Sequence, residues 1–129
     1  MIAASLALYG SGCSRNSIFE SETRIVRLIR EVQVEEVRYR STHGSYGDLA
    51  ALRGSAANVI NEEMASGIVG DYRFQIAVSS FGYVITAWRA PTLDSPYRSF
   101  FADETGVIRY SLGPTLATRK SPRIDGQPN

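Results

Sequence analysis

The stretch Ser17–His43, SIFESETRIVRLIREVQVEEVRYRSTH, constrains this chain more than any other. Ile18, Ile25, Leu28, Ile29, Val32 and Tyr39 recur at steps of three and four residues, with Glu36 in the one slot where an apolar residue is expected. They line one stripe of a helix, and charged residues fill the remainder. Ser17 with Glu20 has the spacing of a capping box, and Gly44 can end the helix in a left-handed conformation. At 1.5 Å per residue the rod is about 40 Å long, and something must cover its apolar side.

The rest of the chain supplies that cover. Ser45–Gly54 reads as a turn and a short helical piece with Leu49 and Leu52 facing inward, and Ser55–Ser66 as a second helix with Val59, Ile60 and Met64 on one side. From Asp71 the period changes to two, the signature of sheet. Tyr72, Phe74, Ile76 and Val78 alternate with Arg73, Gln75, Ala77 and Ser79, and the turn Ser79–Gly82 joins them to Tyr83–Trp88 in a hairpin. Arg89–Pro96 is a loop, in which Pro91 and Pro96 cannot donate ladder hydrogen bonds. Arg98–Ala102 and Val107–Ser111 form a second hairpin across Asp103–Gly106, with Gly106 supplying a positive φ. The fold expected is α+β: a long N-terminal helix packed on a four-stranded antiparallel sheet.

Three segments follow from this reading. Residues 1–16 are a signal, anchor or tether, 17–113 the folded domain and 114–129 a flexible tail. Ile2–Leu8 has the length of a signal-peptide apolar region, and the small residues Ser11 and Gly12 precede Cys13, a candidate lipidation site. Gly10 stands where a lipobox usually has an aliphatic residue, and no basic region precedes the run. The protein is expected to be exported to the bacterial cell envelope, in the periplasm or membrane-anchored.

Composition narrows the chemistry. The chain has 129 residues, a formal net charge of +1, one cysteine and one histidine. That is enough length for one core, and the charge balance points to no nucleic acid partner. A single Cys and a single His exclude an internal disulfide and a Cys- or His-based metal cluster within the chain. His43 falls at the end of the helix, where the dipole favours a cation, and reads as a cap. Asp103 and Glu104 are neighbours in a turn, so they point apart where acid–base catalysis needs convergence. Glu62 and Glu63 read as a solvated face, and the glycines lack the spacing of a phosphate loop. No catalytic, cofactor-binding or metal-binding residue is expected. The helix arginines interleave with glutamates, Glu20 with Arg24 and Arg27 with Glu31 at helical spacing. Arg24, Arg27, Glu31, Glu35 and Arg38 are the candidate assembly interface, where mixed charges would set the register of neighbouring helices. Tyr72, Phe74, Tyr83, Trp88, Phe100, Phe101 and Tyr110 read mostly as core, with Trp88 or Tyr97 beside the prolines as a contact patch.

Several of these pieces together carry a family resemblance. The run VQVEEVRYRSTHGSYGDLAAL, then EEMASGIVGDYRFQI, YVITAWRAP and RSFFADETGVIRY resembles the soluble part of bacterial type IV pilin-like proteins, in particular major pseudopilins of type II secretion systems. The likeness covers Ile25–Tyr110, most specifically Gly70–Phe74 and Ser99–Arg109. It implies an N-terminal helix on an antiparallel sheet and helical assembly into a fibre or pseudopilus that moves exported proteins. It also implies a non-enzymatic structural subunit or accessory protein, with pilin-like subunits as partners and a membrane contact only through an N-terminal anchor. The chain departs from the family at Ser5, where a glutamate is usual, and in an apolar run that stops by Gly10. Some pseudopilins bind calcium in a C-terminal loop; Asp94, Asp103 and Glu104 are the nearby acids, and that loop's pattern is absent. The alternatives are a lipid-anchored periplasmic binding module unrelated to secretion, and a small hydrolase built on His43.

Overall fold

A computed structural model describes residues 2–89 and 97–126, with side chains from Glu20 onward. It opens with one helix, α1 (Ile2–His43), of 42 residues. At 1.5 Å per residue it is about 63 Å long. The helix runs unbroken through Ser17, so its start does not lie at the capping box. The stripe faces the core: Ile25, Leu28, Ile29 and Val32 are buried, Tyr39 packs at the margin, and Glu36 is fully buried among them. Ile18 lies outside the described side chains. Gly44 ends the helix with φ +80, its N–H on the Arg40 carbonyl.

Two short helices follow. Asp48 caps α2 (Leu49–Ser55) by accepting from the Ala51 N–H, and Asn61 caps α3 (Glu62–Ala65) by accepting from the Met64 N–H. The single helix expected over Ser55–Ser66 is therefore replaced by the end of α2, a turn, and one helical turn. Asn61 explains the break: its side chain satisfies the first free N–H groups of a new helix and so starts one there. Leu52, Ile60 and Met64 still reach the core.

The sheet has five strands, correcting the four expected. They are β1 (Ile68–Val69), β2 (Tyr72–Val78), β3 (Tyr83–Trp88), β4 (Arg98–Asp103) and β5 (Ile108–Leu112), an antiparallel meander in chain order. The added strand is two residues long, too short for alternation to reveal it. It exists because Gly70, at φ +59, folds Ile68 and Val69 back on Arg73 and Tyr72. Registers stack two apolar rows against α1: Phe74, Ala87, Phe100 and Tyr110 in one, Ile76, Ile85, Ala102 and Ile108 in the other. Cross-strand neighbours on one face are what a sheet offers a helix to pack on. Val78, expected inside, is 40% exposed. At its rung the cover is Tyr46, which packs edge-on against Tyr83 with ring centroids 4.8 Å apart.

Residues 114–126 are not the loose tail expected. Ser99 Oγ accepts the Ala117 N–H at 2.8 Å, Tyr110 donates its N–H to Pro122, and Ile124 donates its N–H to Ile108. Arg109 Nη1 adds a bond to the Ser121 carbonyl at 2.8 Å. The segment thus covers the free edge of β5, and Ala117 and Ile124 enter the core margin. An edge strand needs such a cover, and backbone pairing supplies it without periodic side chains, which is why no sequence pattern marks it.

Candidate functional site

The interface residues expected on α1 divide in the structure. Arg24, Arg27, Glu31 and Arg38 are exposed, while Glu35 is half-buried and pairs with Arg38 at 3.0 Å within the same helix. The pairs Glu20–Arg24 and Arg27–Glu31 do not close among the described residues. An exposed helical pair contributes only a few tenths of a kcal/mol, so leaving them open loses little. Arg24, Arg27 and Glu31 carry no ion pair among the described residues. Cys13 lies within α1, and its side chain is outside the described set.

Arg27 belongs to a groove that helical spacing does not reveal. It lies beside Arg30, Thr23 and Val26 on α1, with Arg98 at the start of β4 and Ile124 of the C-terminal segment, around a volume of about 390 Å³. Its floor includes the ion pair that fastens helix to sheet: Glu22 accepts from the Arg98 N–H at 3.1 Å and from Arg98 Nε at 3.0 Å. Glu22 is 8% exposed. A buried carboxylate with two charge-assisted bonds is satisfied, and removing either partner would leave the other stranded. Arg98 in turn lies over the Tyr110 ring at 5.1 Å. Arg27 and Arg30 carry no ion pair among the described residues, so the groove is apolar at its walls and cationic at its rim. Sequence reasoning missed Glu22, Thr23, Val26, Arg30, Arg98 and Ile124 as neighbours; only the position of Glu22 on the flank of the apolar stripe hinted at a buried acid.

A second buried acid sits farther along the helix. Glu36 Oε1 accepts the Gly47 N–H at 2.8 Å, while Oε2 has no partner among the described residues. Burial, opposed by the Gly47 bond and helped by the charge of Asp48, pushes its pKa up to about 7. Tyr83 and Tyr72 are also raised, chiefly by burial and then by Glu36 and Glu22 respectively. Tyr72 donates its hydroxyl to the Arg98 carbonyl at 2.8 Å. Glu36 holds the loop after α1 through Gly47, and Tyr72 holds the start of β4 through the Arg98 carbonyl.

The remaining candidates are placed as follows. His43 is exposed, stacked on Tyr39 at 4.0 Å, with Nδ1 3.1 Å from the Tyr39 carbonyl. That is a bond to a terminal helix carbonyl, as a cap makes, and not the serine and carboxylate that the hydrolase alternative requires. Asp103 is buried in its own turn, accepting from the Thr105 N–H and meeting Arg119 at 3.5 Å. Glu104 turns outward against Gly82, where a Cβ would lie 2.5 Å from its carboxyl carbon. Among the described residues no cluster of three or more His, Cys, Asp or Glu could hold a metal. Asp94, Pro91 and Pro96 lie outside the described residues. Tyr97 is half-buried under the Arg89 guanidinium at 3.4 Å, and Trp88 is half-buried on the far face of the sheet. No helix among the described residues is long and apolar enough to cross a membrane. No family model, curated protein or solved structure matches the chain.

Proposed function

We propose that this protein is a structural subunit or accessory protein of a pilin-like apparatus, of the type II secretion or type IV pilus kind, acting in the cell envelope through protein–protein assembly and without catalysis of its own. The observation that carries this reading is the disproportion between rod and sheet. Strands of five to seven residues reach about 15 to 23 Å, whereas α1 is about 63 Å long. The sheet together with the loop after α1 and α2 covers the helix from Glu22 to Tyr39, and the helix continues on the N-terminal side of Glu22 back to Ile2. A protruding helix of this length gains its stability from packing on something else, which neighbouring subunits would provide. The charges of Arg24, Arg27 and Glu31, without an ion pair among the described residues, support the same role, since they cost little in the monomer and select partners in an assembly. The groove gives some support to a lipid-anchored periplasmic binding module instead.

The test is photocrosslinking in the cell envelope, with a photoreactive residue placed at Arg24, Glu31 or Arg38 of the full chain. Adducts between copies, or with other pilin-like subunits, are expected. A chain that gives none from any of the three positions is not an assembly subunit, and the binding-module reading would take its place.

A further inference from the structure

The structure holds an exposed aromatic knob and a groove of matching chemistry, placed where one molecule cannot join them. The turn between β2 and β3 is closed by the Ser79 N–H on the Gly82 carbonyl at 2.9 Å. Ser79 Oγ accepts from the Gly82 N–H at 3.2 Å. This bonding leaves Phe81 standing outward, 88% exposed. Glu104 lies beside it across Gly82, exposed and without an ion pair among the described residues. The other charges at this end, Asp103 and Arg119, pair with one another. The knob therefore offers one phenyl ring and one net negative charge.

The groove on α1 has the complementary features. Val26 and Ile124 supply apolar wall, Arg27 and Arg30 supply cations with no ion pair among the described residues, and Glu22 with Arg98 is self-neutralised. Its volume of about 390 Å³ is ample for a phenyl ring, since benzene enters cavities of about 150 Å³. Groove and knob sit at opposite ends of β4: Arg98 begins the strand and Glu104 follows its last residue. Six strand residues separate them by about 20 Å. Neither can satisfy the other within one chain.

We propose that the Phe81 turn of one copy seats in the α1 groove of the next, with Glu104 meeting Arg27 and Arg30. This rests on the assembly reading and names its contact. Because the two patches differ, the interface is head-to-tail, and it repeats without closing unless the rotation between copies happens to complete a ring. The turn is already fixed by its own hydrogen bonds, so little ordering is lost on docking.

Sedimentation of the full chain over a concentration series tests it. Association of the unaltered protein is expected, weakened at least about tenfold by Phe81→Ser and by the pair Arg27→Glu with Arg30→Glu, the melting temperature staying unchanged because all three residues are exposed. Mixing the two variants is the sharper measurement. One intact knob and one intact groove remain, so the mixture should stop at a dimer. Glu104→Arg combined with Arg27→Glu should recover part of the association that either change removes. Assembly that survives both variants, or a mixture that extends past the dimer, overturns the contact while leaving assembly through another surface. Protein that stays monomeric to about 1 mM overturns it as well; the envelope crosslinks then decide separately whether the chain assembles at all.

Discussion

Glu36 occupies the position in α1 where the stripe calls for an apolar side chain, and it is buried with one oxygen bonded to Gly47 and the other without a partner among the described residues. The sign of its effect on stability follows from its raised pKa. Between the ordinary 4.5 and about 7 the folded chain keeps a proton that the unfolded chain has lost, so stability is highest at low pH and falls as pH rises. By pH 8 the loss amounts to about 3 kcal/mol. Glu36→Gln retains the acceptor for Gly47 and cannot ionise. It is expected to raise the melting temperature at pH 8 and to flatten its decline from pH 5 to 8, as calorimetry would read. Glu22 is the opposite case, a buried acid with charged and backbone donors on it. Replacing it by Ala leaves the Arg98 N–H unpaired and is expected to destabilise by about 2 kcal/mol in urea titration. A double-mutant cycle with Arg98→Met should return as coupling only the part carried by the Arg98 guanidinium, since the backbone N–H bond is present with either side chain at that position.

At the scale of elements, the seam between α1 and the sheet carries the fold. Ile29 is fully buried there, and Ile29→Asp would place a charge with no partner among Ile25, Val32 and the strand rows. The expected outcome is loss of the cooperative transition at room temperature, or a destabilisation above about 3 kcal/mol, seen by circular dichroism. Near-unchanged melting would contradict the assignment of the stripe. The C-terminal segment is a smaller unit held by its own bonds. Ser99→Ala removes the acceptor of the Ala117 N–H, so hydrogen exchange at Ala117 should quicken about tenfold while the amides of β3 stay protected. This was the element least legible beforehand. Residues 114–126 carry no alternation because they are held to β5 through backbone atoms of Ile108 and Tyr110 and through the Arg109 guanidinium on the Ser121 carbonyl. β1 was hidden for a related reason, two residues being too few to show a period.

For the whole molecule, helix and sheet are unequal partners. Since Glu22, Ile25, Leu28, Ile29 and Val32 fasten α1 to the rest of the domain, a chain lacking residues 1–19 keeps those contacts and is expected to retain its sheet and to melt within a few degrees of the full chain. Scanning calorimetry would show it, and a loss of the transition would mean that the protruding turns of the helix stabilise the domain. The same truncation separates two contributions to assembly, because the groove begins at Glu22 and survives it.

The sequence by itself determined that a long amphipathic helix is covered by period-two strands, because the spacings 3.6 and 2 are local properties that a chain displays whatever its neighbours. It marked the two main hairpins, the turn at Gly106 and the odd acid at Glu36 for the same reason. The tertiary structure alone decided what that acid bonds to, which segment shields β5, and that Arg27, Arg98 and Ile124 line one groove. Such meetings join residues far apart in the chain, as Glu22 and Arg98 are, 76 positions apart. Their geometry comes from the packing angle of helix on sheet and from backbone pairing, neither of which leaves a repeat in the order of side chains.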